Sequence, residues 1–167
     1  NSTAECLAWG KFTGGAAVRY IADEYSGETT YPRQAMEKAR AWVFDDILKR
    51  DGSESVYELR EALRHACDQH LAVFRTGEGL KSGLETVRSL KDRFRNIKVR
   101  DTSRVYNLDL IYTLELSFMI DIAEIAFLGA LERQESRGGH ARLDFRQRDD
   151  QNWLKHTLAT FSEDGPK

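Results

Sequence analysis

From about Asn107 to Gln134 the chain runs apolar around most of a helical wheel, the longest such stretch it contains. A helix of that kind does not rest one stripe on a core and turn the other to water; it needs neighbours on several sides. Lipid is not that neighbour. The apolar region from Val105 to Leu131 carries Asp109, Glu115, Asp121 and Glu124, which a lipid-facing helix would not tolerate. The stretch therefore predicts a central helix and obliges the rest of the chain to supply amphipathic partners.

Those partners are legible by period. Ser55-x-x-Glu58 is a capping box ahead of a helix with the apolar set Val56, Leu59, Leu63, Ala66, Leu71 and Phe74. Thr76-Gly77 breaks the chain, and Gly79 to Val99 repeats the pattern with Leu80, Leu84, Val87, Leu90 and Phe94. Upstream, Arg33 to Arg50 reads as a helix with the stripe Ala35, Met36, Ala39, Trp42, Val43, Ile47 and Leu48, ended by Asp51-Gly52. A first helix, with a capping box at Ser2 and Glu5, runs to about Tyr25, and Ser26 to Thr30 forms a linker ahead of Pro32. Gly10, Gly14 and Gly15 are unfavourable inside that first helix and predict close packing against a sheet or a neighbouring backbone. Beyond Gly138-Gly139, Asp144 to Asp150 is polar, and Trp153 to Leu158 has the alternation of a strand. Short loops between antiparallel helices predict a mainly α fold, an up-down helical bundle.

With 167 residues the chain has room for one domain, or for one domain plus the end of another. A formal charge of -2 gives none of the basic excess of a general nucleic-acid binder, so no nucleic-acid partner is expected. Cys6 and Cys67 stand far apart and make no disulfide scaffold; free thiols in a reducing compartment are expected. The opening Asn1-Ser2-Thr3-Ala4-Glu5 has no initiator Met and no basic-then-apolar leader, and it reads as a start inside a longer protein.

Few residues carry chemistry by their spacing. His65 and His70 lie five apart on one helix, off a shared face, so they read as surface or packing residues and no metal is expected. Arg88, Lys91, Arg93, Arg95, Lys98, Arg100 and Arg104 make a basic stretch, either a solvated helix face or a docking patch for an acidic protein surface or anionic lipid heads. Glu135-Ser136-Arg137-Gly138-Gly139-His140-Ala141-Arg142 closes the central helix with no obvious packing task. Arg137 and Arg142 there suit a carboxylate or phosphate clamp, or pairing across an interface, or a solvated helix exit. The start of the first helix is a third candidate, because free N–H groups and the positive end of the dipole suit an anion or a carbonyl oxygen.

Three motifs carry a resemblance. They are Asp101-Thr102-Ser103-x-Val105-Tyr106-Asn107-x-Asp109-Leu110-x-Tyr112-Thr113-x-Glu115-Leu116, Glu135-Ser136-Arg137-Gly138-x-His140, and Arg148-Asp149-Asp150-x-Asn152-Trp153-x-Lys155-His156-Thr157-Leu158. Together they resemble the flavoprotein subunit of succinate dehydrogenase and fumarate reductase. The opening Asn1-Ser2-Thr3 is similar to the family's Asn-Ser-Leu segment, with Thr3 in place of the usual Leu, and Arg146 stands where relatives often have Pro. The resemblance is weakest between Ser26 and Ser53. The second motif is shared with L-aspartate oxidase, whereas the tail motif speaks against that family. A stand-alone helical interaction module is the other alternative.

The resemblance implies a C-terminal fragment. Residues 1–50 would be the closing helix of an FAD-binding domain and its linker, and residues 51–167 the C-terminal helical domain, a three-helix, spectrin-repeat-like bundle with an extended C-terminal tail. Ser2 and Thr3 match the pair that meets the flavin ring, so FAD is the implied cofactor, bound mostly by the upstream domain. Catalytic and dicarboxylate-binding residues would lie upstream. Arg137, His140 and Arg142 are expected at an interdomain docking surface against the FAD-binding domain. The implied partners are an iron–sulfur subunit and membrane anchor subunits that pass electrons to quinone. The implied place is the cytoplasmic face of the inner membrane, as a peripheral part of the complex.

Overall fold

The structure, a computed structural model, describes residues 2–27, 32–162 and 165–166. It forms two compact units, Asn1–Glu37 and Lys38–Lys167. The first is built on helix α1 (Ser2–Asp23), in which no residue is buried. Ser2 stands in the first turn of α1 rather than ahead of it as a cap, and Asn1 lies outside the described residues. Leu7, Trp9, Phe12, Val18 and Ile21 are exposed along it. The close packing expected of its glycines is not made among the described residues: a Cβ at Gly10 or Gly14 would meet nothing within 4 Å. The linker expected at Ser26 to Thr30 falls largely outside the described residues.

Helix α2 (Arg33–Ala41) follows Pro32, whose carbonyl accepts the Met36 N–H at 3.0 Å. A single α-helix to Arg50 is not what forms. The chain widens into a π turn at Trp42–Asp46 and then tightens into a 3-10 turn at Ile47–Lys49. Both Ile47 and Leu48 are buried in this 3-10 turn. Met36 stays exposed, while Trp42 and Val43 are half-buried against the core.

Three helices carry the core: α3 (Val56–His70), α4 (Gly77–Phe94) and α5 (Leu108–Glu132). Each has a side-chain cap from the preceding residue. Ser55 accepts from the Glu58 N–H at 3.5 Å, Thr76 from Gly79 at 3.1 Å, and Asn107 from Leu110 at 2.8 Å. Leu59, Leu63, Leu80, Val87, Leu90, Leu116, Ile120 and Phe127 are buried between them. Full burial of each such side chain contributes about 1.5–3 kcal/mol. Cross-helix pairs give the directions. Gly83 meets Phe127, Arg88 meets Glu124 and Lys91 meets Asp121, so α4 and α5 are antiparallel. Tyr57 donates to Asp109 and Arg60 faces Glu115, so α3 and α5 run parallel. This is the up-down bundle.

Two miniature sheets lock its corners. Strand β1 (Glu54–Ser55) pairs in parallel with β3 (Ile97–Lys98), and β2 (Phe74–Arg75) with β4 (Ala141–Arg142). The first pair ends α4 at Phe94, short of the expected Val99, because Ile97 turns from helix to ladder and is buried there. Phe74, expected in the core, is instead exposed on β2. The basic stretch is mostly spent within the bundle. Arg88 and Lys91 share the buried Glu124, Arg93 pairs with Glu54 and Lys98 with Asp51. Burial alone would raise the Glu124 carboxyl, but Lys91 and Arg88 hold it below its ordinary value. Helix α5 is not covered all round: Ile111, Phe118, Ile122 and Ile125 are exposed on its outer face.

The tail departs from expectation. Residues 153–158 form no strand; α6 (Asp150–Trp153) is a single helical turn capped by Asp149 and followed by irregular chain. The carbonyls of Trp153 and Lys155 are taken by the Arg133 guanidinium, which leaves them unavailable for a ladder.

Gly83 offers a test of the core. A Cβ there would overlap the Phe127 ring, which is fully buried. Ala favours a helix over Gly by about 1 kcal/mol, but overpacking costs about 1–3 kcal/mol, and an overlap onto a fixed ring belongs at the upper end. Gly83→Ala is expected to lower stability by about 1–2 kcal/mol in urea denaturation.

Candidate functional site

The segment after α5 is organised by one carboxylate. Glu135 is fully buried, and its Oε1 accepts from Arg133 at 2.6 Å and from Arg137 Nε at 2.8 Å. Its Oε2 accepts from Arg137 at 3.1 Å and from the Asp149 N–H at 2.9 Å. These donors, Arg137 foremost, hold its carboxyl at about 2 despite burial. Arg137 continues to Asp150, which also takes Arg148, and the two arginines, Arg148 first, bring Asp150 to about 2. Residues 137 and 140 close a tight hairpin through Arg137 N–H to His140 O at 2.8 Å and the reciprocal bond at 2.9 Å. Gly138 sits in it at φ +56°, a conformation open to glycine at the first central position of such a turn.

Arg142 is the second anchor, with its side chain only 2% exposed. Its NH1 donates to the carbonyls of Ala130 at 2.8 Å and Leu131 at 3.0 Å, satisfying groups that the end of α5 leaves open. Its other nitrogens make a bidentate pair with Asp144, both at 2.8 Å. Asp144 in turn accepts the Gly77 N–H at 2.9 Å, in the first turn of α4. One ion pair thus ties the end of α5 to the start of α4, and Arg142 holds the Asp144 carboxyl well below the usual range.

His140 joins the third corner. Its Nδ1 lies 2.8 Å from Arg75 NH1 and its Nε2 lies 3.1 Å from the Arg133 carbonyl. A guanidinium only donates, so Nδ1 must accept and Nε2 must carry the proton. This is a neutral imidazole. Burial pushes its pKa below the ordinary value, and the nearby Arg75, Arg142 and Arg133 charges add to that, outweighing the opposing bond to the Arg133 carbonyl. Arg75 also donates to the carbonyls of Leu71 and Ala72, at the end of α3. The hairpin is thereby fastened to α3 as well.

Outside these bonds lies an open groove of about 510 Å³ lined by Arg133, Arg137, Trp153, Leu154, Lys155 and His156 among others. The structure brings Arg137, His140 and Arg142 into one network. It places Ser2 and Thr3 in the other unit, exposed in the first turn of α1. The sequence singled out the arginines but not their acceptors. Glu135 stood inside the quoted motif, and its buried role was signalled only by its position between Arg133 and Arg137. Nothing in the sequence points to Arg75, which lies 65 residues from His140.

The geometry defines a three-helix domain whose tail is clamped to it by arginine–carboxylate pairs, and the fold of this domain occurs in known proteins. The quinol fumarate reductase of E. coli contains a chain matching 99% of this one with a TM-score of 0.89 at 33% identity, over 28% of its own length. The adenylylsulfate reductase of Archaeoglobus fulgidus, at 22% identity and a TM-score of 0.62, shares the fold. In sequence, the fumarate reductase flavoprotein subunit of Haemophilus influenzae is 34% identical over 166 residues, and the succinate dehydrogenase flavoprotein subunit of Rickettsia bellii 34% over 165. The family described as "Fumarate reductase flavoprotein C-term" matches residues 60–167. The chain belongs to the family of fumarate reductase and succinate dehydrogenase flavoprotein subunits. It spans about a quarter of its curated relatives' length, 27% of the Haemophilus and Rickettsia subunits.

Two outcomes test the clamp. Arg142→Ala strips Asp144 of its pair and leaves α5 carbonyls open, and is expected to cost about 3 kcal/mol in chemical denaturation. Acid should loosen the tail in two steps. His140 titrates at 6.5 when unfolded and lower when folded, so its contribution is present above 6.5 and lost as pH falls. Glu135 goes from 4.5 unfolded to about 2 folded, so its stabilisation is lost as pH drops through that window. Melting temperatures measured from pH 7 to 3 should fall throughout, and His140→Asn should remove the upper step.

Proposed function

We propose that this chain is the C-terminal part of an FAD-dependent subunit that interconverts succinate and fumarate, and that it supports the chemistry rather than performing it. The family match over residues 60–167, in a chain 27% as long as its relatives, carries this reading. Residues 1–50 act as the end of the FAD-binding domain and its linker, and residues 51–167 as the helical domain. The dicarboxylate site and the catalytic groups belong to the upstream portion.

Ser2 and Thr3 fit a flavin contact. They are exposed in the first turn of a 22-residue helix, where N–H groups without an intrahelical acceptor meet the positive end of the dipole. Such a terminus suits the flavin's electron-rich N1 and C2 carbonyl edge, and the bound flavin supplies the two-electron chemistry. Arg137, His140 and Arg142 hold the surface that meets the FAD-binding domain, Arg142 from within and Arg137 from its edge. An iron–sulfur subunit and membrane anchor subunits are the electron-transfer partners, and the subunit is peripheral at the cytoplasmic face of the inner membrane. No helix among the described residues is long and apolar enough to cross a membrane, which agrees with attachment through partners.

The 167-residue chain alone is expected neither to retain FAD through gel filtration nor to reduce fumarate with reduced viologen. Either activity would overturn the supporting role. In the full-length subunit, Arg137→Ala should lower the ratio of flavin to protein, and an unchanged ratio with unchanged succinate oxidation would remove the docking role.

A further inference from the structure

We infer that the groove beside α6 is a docking notch for an acidic polypeptide segment, one that places a carboxylate against Lys155 and the free edge of Arg137. This deepens the docking role proposed above and rests on it.

The charges around the groove do not balance. Arg133, Arg137 and Arg148 share two carboxylates, Glu135 and Asp150. The carboxylate of Asp149 is turned to capping α6 through Asn152. Lys155 adds a further cation that has no hydrogen-bond acceptor among the described residues; its Nζ lies 5.1 Å from the centroid of the Trp153 ring. The Arg133 guanidinium carbon lies 5.3 Å from the same centroid. A ring quadrupole attracts each cation by about 0.5–1 kcal/mol at exposed sites, but it does nothing for the repulsion between them. A carboxylate seated there does.

Donors are also left over. Arg133 commits both terminal nitrogens, to Glu135, Trp153 O, Lys155 O and Thr157 Oγ1. Among the described residues Arg137 commits Nε and NH2 only, so NH1 remains for an incoming oxygen. The frame holding these donors is built, because the buried Glu135 fixes both guanidinium groups. The occupant's size follows from the space. A volume of about 510 Å³ exceeds a lone carboxylate, and Leu154 and the Trp153 ring give it an apolar wall. A side-chain carboxylate with its neighbouring peptide matches both the charge and the wall, whereas a small inorganic anion matches the charge alone.

The test uses the isotope-labelled 167-residue chain at constant ionic strength. The indole N–H resonance of Trp153, assigned through Trp153→Phe, is followed against three probes: the blocked peptide Glu-Leu-Asp, its neutral counterpart Gln-Leu-Asn, and inorganic phosphate. The acidic peptide should shift this resonance saturably, ahead of phosphate, while the neutral peptide does not. Lys155→Ala should weaken the acidic peptide about fivefold, the effect of losing one exposed charge pair. Lys81→Ala should leave it unchanged. A response shared equally by Trp9 and Trp42, or insensitive to Lys155→Ala, overturns the site. Phosphate binding more tightly than the peptide overturns the polypeptide assignment. None of these outcomes depends on flavin, so failure of the notch is distinguishable from failure of the flavoprotein reading, which would show as a longer polypeptide without bound FAD.

Discussion

A carboxylate with no exposed surface is held at Glu135 by two arginines and a backbone N–H, and the whole C-terminal region is arranged to make that tolerable. A buried anion is costly unless its lone pairs are filled and its charge met. Filling them draws Arg133 and Arg137 inward from either side and brings in Asp149 from 14 residues further along the tail. Arg133, once placed, spends its remaining donors on the carbonyls of Trp153 and Lys155. The tail therefore has a fixed path although it contains almost no regular structure. Remove the carboxylate, and two guanidinium groups would crowd together with nothing to reconcile them.

A second requirement, that helix ends find partners, explains how the tail meets the bundle. The open carbonyls at the end of α5 go to Arg142, those at the end of α3 to Arg75, and the first turn of α4 donates to Asp144. His140 bridges Arg75 to the Arg133 carbonyl and must be neutral to do so. One stretch of roughly ten residues satisfies two corners of the bundle directly and holds the third through the contact of His140 with Arg75. This is how a segment rich in arginine and glycine can be structural: it finishes what the helices leave undone.

The bundle was legible because periodicity and capping residues act locally. Ser55 with Glu58 announced α3, and the apolar set of α4 matched its buried face apart from the exact end. What escaped depended on contacts distant in sequence. The strand expected at Trp153 to Leu158 had the right alternation, yet Arg133 had already taken its carbonyls. The helix end expected at Val99 yielded to pairing of Ile97 with Glu54, a partner on the other side of α3 and α4. The winding change at Trp42–Asp46 left no mark in the apolar pattern, since Ile47 and Leu48 suit either helix type. In this segment the sequence singled out Arg137, His140 and Arg142, but not the roles of the residues they pair with, Glu135, Asp144 and Arg75. Charge identity is visible in a sequence; which charge is buried is not.

The outer face of α5 has a consequence for handling the molecule. Ile111, Phe118, Ile122 and Ile125 recur along one side of a 25-residue helix and meet water. Contiguous exposed apolar surface drives self-association and precipitation as concentration rises. The folded bundle tolerates this row thermodynamically, because these side chains contribute little to its interior. Its colloidal behaviour is another matter, because an exposed apolar row of this kind lowers solubility as concentration rises. A lysine at the position of Ile122, the most exposed of the four, would raise solubility while leaving the interior untouched.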